Sequence, residues 1–390
     1  MRYLRNSLLA AFAAGLAACS DQSPAGPGAE RAAVQAPLLS ASAGRVVPGA
    51  YIVVLKEGGN PRSVAAVAGV TPRLVYENAL KGFAAQLTEG QLNALRHNAA
   101  VDYVEQDQRG GIATTQYSAP WGLDRIDQPA RPLNGTYVYT ATAPNVYAYV
   151  IDTGMQASHP QFGGRAMNVY DYDLNHGSGN DCHGHGTHVA GIIGSSTYGV
   201  AKQVRLRGLR TIDCAGYGNI SETIGAVDWL RLYHYKPAVA NMSLRWDYSA
   251  ALNTAVTSLS NAGVLVAVAA GNETQPACNT SPASAAAAVT SAASTFTDAI
   301  AWFSNYGSCV DLYAPGEDIT STWTGSGTNI LSGTSMASPH TAGVAALYKA
   351  TYGDASSATV HAWIVNNATP NVIVGNPAGT PNLLLYKGAL

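Results

Sequence analysis

Charge is scarce in this 390-residue chain: Asp, Glu, Lys and Arg make up 12% of it, and the formal net charge is −2. It holds no block of Lys or Arg, which argues against a nucleic-acid partner and against a polybasic membrane surface. Cysteine is sparse too, at five residues, with no Cys-x-x-Cys spacing of the kind that builds a zinc site. Long apolar runs are missing except near the start, so no internal segment suits a bilayer span. No repeat or low-complexity tract appears outside residues 20–47. What the chain has instead is 40 glycines and a 47% hydrophobic composition. At this length that is material for a large core with many tight turns, organised in two or three domains.

Arg2 and Arg5 precede an apolar run from Leu8 to Ala18. The run is too short to cross a membrane but suits the core of a signal peptide over residues 1–19. Leu16-Ala17-Ala18-Cys19 also resembles the bacterial lipoprotein signal, which would acylate Cys19; a plain secretory cleavage nearby is the alternative. Either way the chain is exported, with a lipid on the precursor as its one route to a membrane. Cys182, Cys214, Cys278 and Cys309 then form an even set in an exported protein, expected as two disulfides in one of three pairings. Residues 20–47, rich in Ser, Pro, Gly and Ala, are expected to form a disordered tether.

Two compact units follow. In residues 48–112, strands are expected at Tyr51–Leu55, Val75–Tyr76, Phe83–Leu87 and Val101–Val104, with a short helix around Leu92–Arg96; the end, Glu105–Gln116, is polar and expected to be exposed. Residues 113–390 alternate strand and helix. Asn145–Ile151, Val239–Ser243 and Val264–Ala269 are apolar enough for buried strands. Helices are expected from His185 through Ile193, over Ala251–Ala262, and after Ser221 as a cap, with Ile224, Val227 and Leu230 on one face. Near-continuous apolar strands between amphipathic helices predict an α/β unit, a parallel sheet covered on both faces. In such sheets, sites gather at the carboxyl ends of the strands.

Two polar residues occupy those ends, Asp152 in Val-Ile-Asp-Thr-Gly and Asn272 in Val-Ala-Ala-Gly-Asn. Between them lies His183-Gly184-His185-Gly186-Thr187-His188. Far downstream, Gly333-Thr334-Ser335-Met336-Ala337-Ser338-Pro339-His340 presents one hydroxyl at the start of an apolar helix, where free N–H groups converge. Pro339 fits an opening helical turn. Gly-Thr-Ser is equally good N-cap chemistry, so the octapeptide alone does not separate a nucleophile from a cap. A serine hydroxyl attacks at neutral pH only if an imidazole takes its proton, and that imidazole needs a carboxylate to fix its tautomer. One Asp-Thr-Gly does not make an aspartic protease, which uses two. The histidine spacing is not His-Glu-x-x-His, so His188 is read as a packed helical residue and His183 as incidental.

These blocks, in the order Asp…His…Ser, resemble the three active-site motifs of the subtilisin family of serine proteases. The resemblance covers nearly all of residues 48–386. It is strongest to the proteinase K-like branch and to aqualysin, through Ala119–Ile126, Phe303–Ser308 and Pro381–Tyr386. It implies Ser335 as nucleophile, His185 as general base and then acid, Asp152 as orienting carboxylate, and Asn272 as oxyanion donor beside the Ser335 N–H. It implies a subtilisin-like catalytic domain at 113–390 behind a small α+β inhibitory propeptide at 48–112. The propeptide would assist folding, block the cleft and be cut near Ile112-Ala113, leaving a monomeric mature enzyme free of any lipid. It implies the pairings Cys182–Cys214 and Cys278–Cys309, each closing about thirty residues and worth roughly 3–4 kcal/mol by chain entropy. It implies a structural calcium at Asp311, with carbonyls near Ala286 and Ala288, and no catalytic cofactor.

The substrate groove implied by the resemblance runs between Gly216-Tyr217-Gly218 and Ser243-Leu244-Arg245. Ala269-Ala270-Gly271 would line a primary pocket suited to an apolar or aromatic side chain of a protein substrate. The departure lies here. Where the family continues Gly-Gly after Leu244, this chain has Arg245-Trp246. Successive strand side chains point to opposite faces, so at least one of the two is expected to lean into the groove. That leaves two readings, an active endopeptidase with altered subsites or a binding protein whose cleft is obstructed.

Overall fold

The structure, a computed structural model, describes residues 35–40, 46–108, 113–172 and 178–390. The signal segment with Cys19, most of the tether, and Ile112 at the expected cleavage point lie outside the described residues.

The first unit contains β1 (Leu38–Leu39), β2 (Val46–Leu55), α1 (Pro61–Val67), β3 (Leu74–Tyr76), β4 (Gly82–Gln86), α2 (Glu89–Arg96) and β5 (Val101–Gln108). They form a five-stranded sheet in the order β1-β5-β2-β4-β3. The helices cover one face, burying Val64 and Leu95 with Val53, Phe83 and Val104. The tether expectation needs correction at its end. Leu38 and Leu39 pair in parallel with Val104 and Glu105, and Ala36 is buried. Two adjacent leucines supply an edge strand that the surrounding Ser/Ala/Gly composition conceals. Helix α1 has little sequence signature, because its start rests on Asn60 accepting the Ser63 N–H at 3.1 Å rather than on a long apolar stripe.

In the second unit, β6 (Thr114–Tyr117), α3 (Trp121–Asp127) and β7 (Thr136–Tyr139) lead into β8 (Tyr147–Asp152), β9 (Ala166–Asp171), α4 (His185–Gly194) and β10 (Arg205–Arg210). Next come α5 (Ile220–Tyr233), β11 (Ala238–Met242), β12 (Trp246–Asp247), α6 (Ala250–Asn261), β13 (Leu265–Ala269), β14 (Thr280–Ser281) and β15 (Val289–Ser294). The chain ends with β16 (Leu312–Pro315), β17 (Ile319–Trp323), β18 (Gly327–Leu331), α7 (Thr334–Tyr352), α8 (Ser357–Asn367), β19 (Thr369–Pro370) and β20 (Leu383–Leu384).

Nine strands make the main sheet, in the order β19-β20-β16-β15-β13-β11-β8-β10-β9. All pairings are parallel except β19 with β20. Alternation along β8 sends Ala148 and Val150 to a core shared with α4 and α7, and Tyr149 and Ile151 to one shared with α5 and α6. Both faces are therefore dry, which is why the strands are apolar throughout. After β8 the chain first builds outward through β9 and β10, then returns to β8's other side with β11. Such a reversal opens a crevice beyond the carboxyl ends of the strands. Asp152 stands there.

Two local expectations are corrected. Helix α5 is capped by Asn219 rather than Ser221, because the Glu222 carboxylate accepts both the Asn219 backbone N–H and its side-chain amide, each at 2.9 Å. Pro339 lies in the interior of α7, not in its opening turn. Disulfides join Cys182 to Cys214 and Cys278 to Cys309. Among the described residues no helix is long and apolar enough to cross a membrane.

Candidate active site

Strands β8, β11 and β13 are neighbours, so the residues just past their ends converge. Asp152 closes β8, Ser243 follows β11, and Ala270-Gly271-Asn272 follow β13. Helix α4 packs against α7, and its first residue, His185, meets Asp152: the imidazole Nδ1 is 2.7 Å from the fully buried carboxylate's Oδ1. Burial alone would depress the His185 pKa. The charge and hydrogen bond of Asp152, with the charge of Asp181, outweigh it and raise the pKa above its usual value.

Residues that sequence reasoning missed fix this contact. Asp181 accepts the backbone N–H groups of His183, Gly184 and Thr187 at 2.7–3.0 Å and the hydroxyls of Thr153 and Thr187 at 2.8 and 2.6 Å. One carboxylate thereby caps α4 and ties it to the end of β8. Thr153 adds a bond from the Gly186 N–H at 2.9 Å. Gly186 has to be glycine, since a Cβ there would run into the Gly154 carbonyl. The available signal was an aspartate just ahead of a predicted helix.

At the start of α7, Ser335 donates its hydroxyl to the Ser243 carbonyl at 3.2 Å, and Ser243 returns its own to the Ser335 carbonyl at 2.7 Å. Asn241 extends the link, donating to Ser243 Oγ at 2.9 Å and accepting from Ser338 at 2.6 Å. Asn272 is oriented by Thr334, whose N–H and hydroxyl both donate to its Oδ1 at 2.8 Å. The Asn272 Nδ2 group is thus turned away from Thr334 and left as a donor near the Ser335 backbone N–H.

The nine residues expected to line a groove fall on three segments. Gly216-Tyr217-Gly218 forms a turn held by Asp213, with Tyr217 exposed. The N–H of Tyr217, foremost, keeps the Asp213 carboxyl below its ordinary pKa. Ala269 and Ala270 are buried, and Gly271 has a φ of +104° and no room for a Cβ beside Asn305. Ser243-Leu244-Arg245 leads into Trp246, where β12 pairs with β14.

A family model for the subtilases matches residues 144–384. The chain belongs to the subtilase family of serine proteases. A model for peptidase inhibitor I9 matches residues 68–110, so this subtilase carries an inhibitory propeptide ahead of its protease unit. It is 46% identical to the extracellular serine proteinase of Thermus sp. (strain Rt41A), over 95% of this chain and 96% of that one. Proteinase R of Parengyodontium album is 42% identical over 96% of this chain and 97% of that one. The crystal structure of a cold adapted subtilisin-like serine proteinase aligns with a TM-score of 0.69 and 46% identity, covering 70% of this subtilase and all of that chain.

Calcium at Asp311 meets a different arrangement. Asp311 Oδ2 accepts the Thr290 N–H at 2.7 Å, and Oδ1 faces His361 Nε2 at 3.1 Å. Among the described residues no group of three or more His, Cys, Asp or Glu gathers around a common point. A calcium shell takes six to eight oxygens. Asp311 brings one carboxylate, already engaged by an N–H and an imidazole, so a calcium there would have to draw the rest of its shell from backbone carbonyls such as those expected near Ala286 and Ala288, and from water.

Proposed function

We propose that this subtilase is a secreted endopeptidase that works through an Asp152-His185-Ser335 triad and is made as a self-processing precursor. The observation that carries the reading is the 2.7 Å contact between Asp152 and His185, on the same sheet end as Ser335 and a pre-oriented Asn272. Ser335 Oγ attacks the scissile carbonyl while His185 Nε2 takes its proton; Asp152 stays ionised, fixes the tautomer and stabilises the imidazolium. The tetrahedral oxyanion is held by Asn272 Nδ2 and the Ser335 N–H, donors set before the reaction begins. Collapse expels the amine, which takes the proton from His185, and water then releases the acyl group along the same path.

The proposed processing point lies near Ala113, between a propeptide at 48–112 and a protease at 113–390. The walls at Ala269-Ala270-Gly271 favour an apolar or aromatic residue before the scissile bond. The extracellular relatives and the apolar N-terminal run support export. Obstruction of the cleft finds no support in the side chains that suggested it, since Arg245 and Trp246 are both tied to the groove's own walls. The test is incubation of the purified precursor with a Ser335→Ala control. Self-cleavage near Ala113 in the wild type alone is expected; a folded wild type that stays full length overturns the reading.

A further inference from the structure

His185 is the first residue of α4, and one side of that helix rests on the β17–β18 hairpin. Gly184 at the cap, His188 and Gly191 form the contact, spaced four and then three apart, so they share one stripe. A Cβ on Gly184 would run into the Trp323 indole, and one on Gly191 into the hydroxyls of Ser321 and Thr322. The two glycines therefore let the hairpin lie directly on the helix backbone. The same hydroxyls donate to the helix, Ser321 to the His188 carbonyl and Thr322 to the Thr187 carbonyl, both at 2.8 Å.

His188 locks the contact. It is fully buried, and its Nε2 lies 3.1 Å from two carbonyls, that of Ile319 on β17 and that of Asn329 on β18. Carbonyls only accept, so Nε2 carries the proton and shares it between the two strands. Burial pushes the ring's pKa down to about 4, which leaves it neutral at pH 7 with that single N–H. Its Nδ1 has no partner among the described residues. One N–H thereby pins both strands of the hairpin to α4, one turn past His185. Both ends of the hairpin close on the turn that carries Ser335. Gly333 donates its N–H to the Gly316 carbonyl at 2.8 Å, and Asp318 donates its own to Ser332 Oγ at 2.9 Å.

Resting on the protease reading above and deepening it, we infer that His188 is a positioning residue that sets how His185 and Ser335 meet. The bonds of Asp152 and Asp181 tie the imidazole and its helix to the end of β8. The hairpin ties the same helix to the segment that runs into Ser335. A helix moves as a rod, so a slide or turn of α4 on the hairpin shifts His185 against Ser335 even while Asp152 keeps its contact. Proton transfer needs the two groups within hydrogen-bond reach, and about 1 Å of misplacement can cost roughly 10²-fold in rate. His188 touches no reacting atom; it acts through the two elements it joins. The bond is also separable from the shape, since a hydrocarbon of similar size fills the space and leaves both carbonyls without their donor.

The experiment compares wild type, His188→Gln and His188→Leu as matured enzymes, their active sites counted with a serine-directed phosphonate. Gln presents an N–H near the place of Nε2, whereas Leu fills space and donates nothing. Per titrated site, His188→Leu is expected to lower kcat on a short peptide about tenfold at unchanged KM, a fraction of the loss that a full 1 Å shift brings. Phosphonylation of Ser335 should slow by a like factor, and His188→Gln should restore most of both. The low-field Nδ1–H resonance of His185, which reports its contact with Asp152, should persist in all three. Its loss in His188→Leu would place the effect at Asp152 and overturn the inference. Wild-type kcat per site in His188→Leu overturns it too, as does a His188→Gln enzyme as slow as His188→Leu. Should His188→Leu not mature, His188→Asn, whose shorter amide stops short of the two carbonyls, decides by the same kcat criterion. Failure of wild type to cleave the peptide, with Ser335 unreactive toward the phosphonate, overturns instead the protease reading beneath it.

Discussion

Ser243 donates its hydroxyl to the Ser335 carbonyl at 2.7 Å, the carbonyl that Pro339 leaves without a partner four residues along α7. A helix carbonyl normally takes the N–H of the fourth residue on, and proline has none. The proposed nucleophile's own peptide is thereby fastened to the strand edge that would receive substrate. Ser243→Ala is expected to cost about 1–2 kcal/mol, the penalty for a buried acceptor left unpaired, and to lower kcat more than it raises KM. Pro339→Ala restores a local N–H donor, so Ser243→Ala should cost less in that background. Urea unfolding of the four variants, carried on Ser335→Ala to prevent autolysis, reads the coupling. Strictly additive effects would show that Pro339 and Ser243 are not linked through this carbonyl.

The two hydrogen bonds from Thr334 to Asn272 Oδ1 fix the amide, and in the proposed mechanism they decide which end of it faces the oxyanion. Asn272→Ala removes the donor and is expected to reduce kcat by about 10²–10³-fold with little change in KM. Thr334→Val keeps the shape but loses one of the two bonds that turn the amide, and a loss of about tenfold is expected from roughly 1.4 kcal/mol. Thr334→Ser should restore most of it. A Thr334→Val enzyme with wild-type kcat would mean that the backbone N–H alone holds the amide.

His185 carries opposite consequences for activity and stability. Asp152 and Asp181 overcome burial and raise its pKa above the usual value near 6.5. The general base must be neutral, so kcat/KM should rise with pH through that raised pKa rather than through 6.5. Stability runs the other way. Because the folded state binds this proton more tightly, the contribution is complete below the unfolded pKa and is lost as pH rises through the folded one. Asp152→Asn should lower the pKa and cut kcat by about 10⁴-fold. NMR titration of the His185 ring in Ser335→Ala checks the shift, and a midpoint at or below 6.5 would contradict it.

The sheet and the positions of Asp152, His185, Asn272 and Ser335 were legible because each strand is apolar on both faces and each motif is contiguous. The parts that escaped are the ones assembled from separate segments. Asp181 looks like an ordinary polar residue until five donors from three places converge on it. His188 reads as a packed helical residue, and the two carbonyls that meet its Nε2 lie 131 and 141 residues on. The contact between Asp311 and His361, fifty residues apart in sequence, left no trace in the pattern of either. Leu38-Leu39 was lost in a tether by composition, although two residues suffice for an edge strand when a partner strand is waiting. Sequence patterns report local periodicity well, and they are silent about pairs that only the fold brings together.

Two buried histidines predict how the enzyme fails in acid. His188 lies between the carbonyls of Ile319 and Asn329, each 3.1 Å from Nε2, and His340 bonds the Met336 carbonyl at 2.8 Å. Burial pushes both down to about 4, only partly offset by those carbonyls; for His188 the neighbouring His185 and His340 add to the depression. The unfolded chain binds these protons near pH 6.5 and the folded one does not. Stability should therefore fall as pH drops from about 6.5 and level off below about 4, by roughly 3 kcal/mol for each ring. His188→Gln keeps a donor toward the same carbonyls but cannot titrate. It should flatten the slope of unfolding free energy between pH 6 and 4 by about one ring's share, whatever it does to stability at pH 7. Denaturant titrations of the full-length Ser335→Ala chain and of the same chain with His188→Gln measure that slope. Equal slopes would place the acid sensitivity in carboxylates instead.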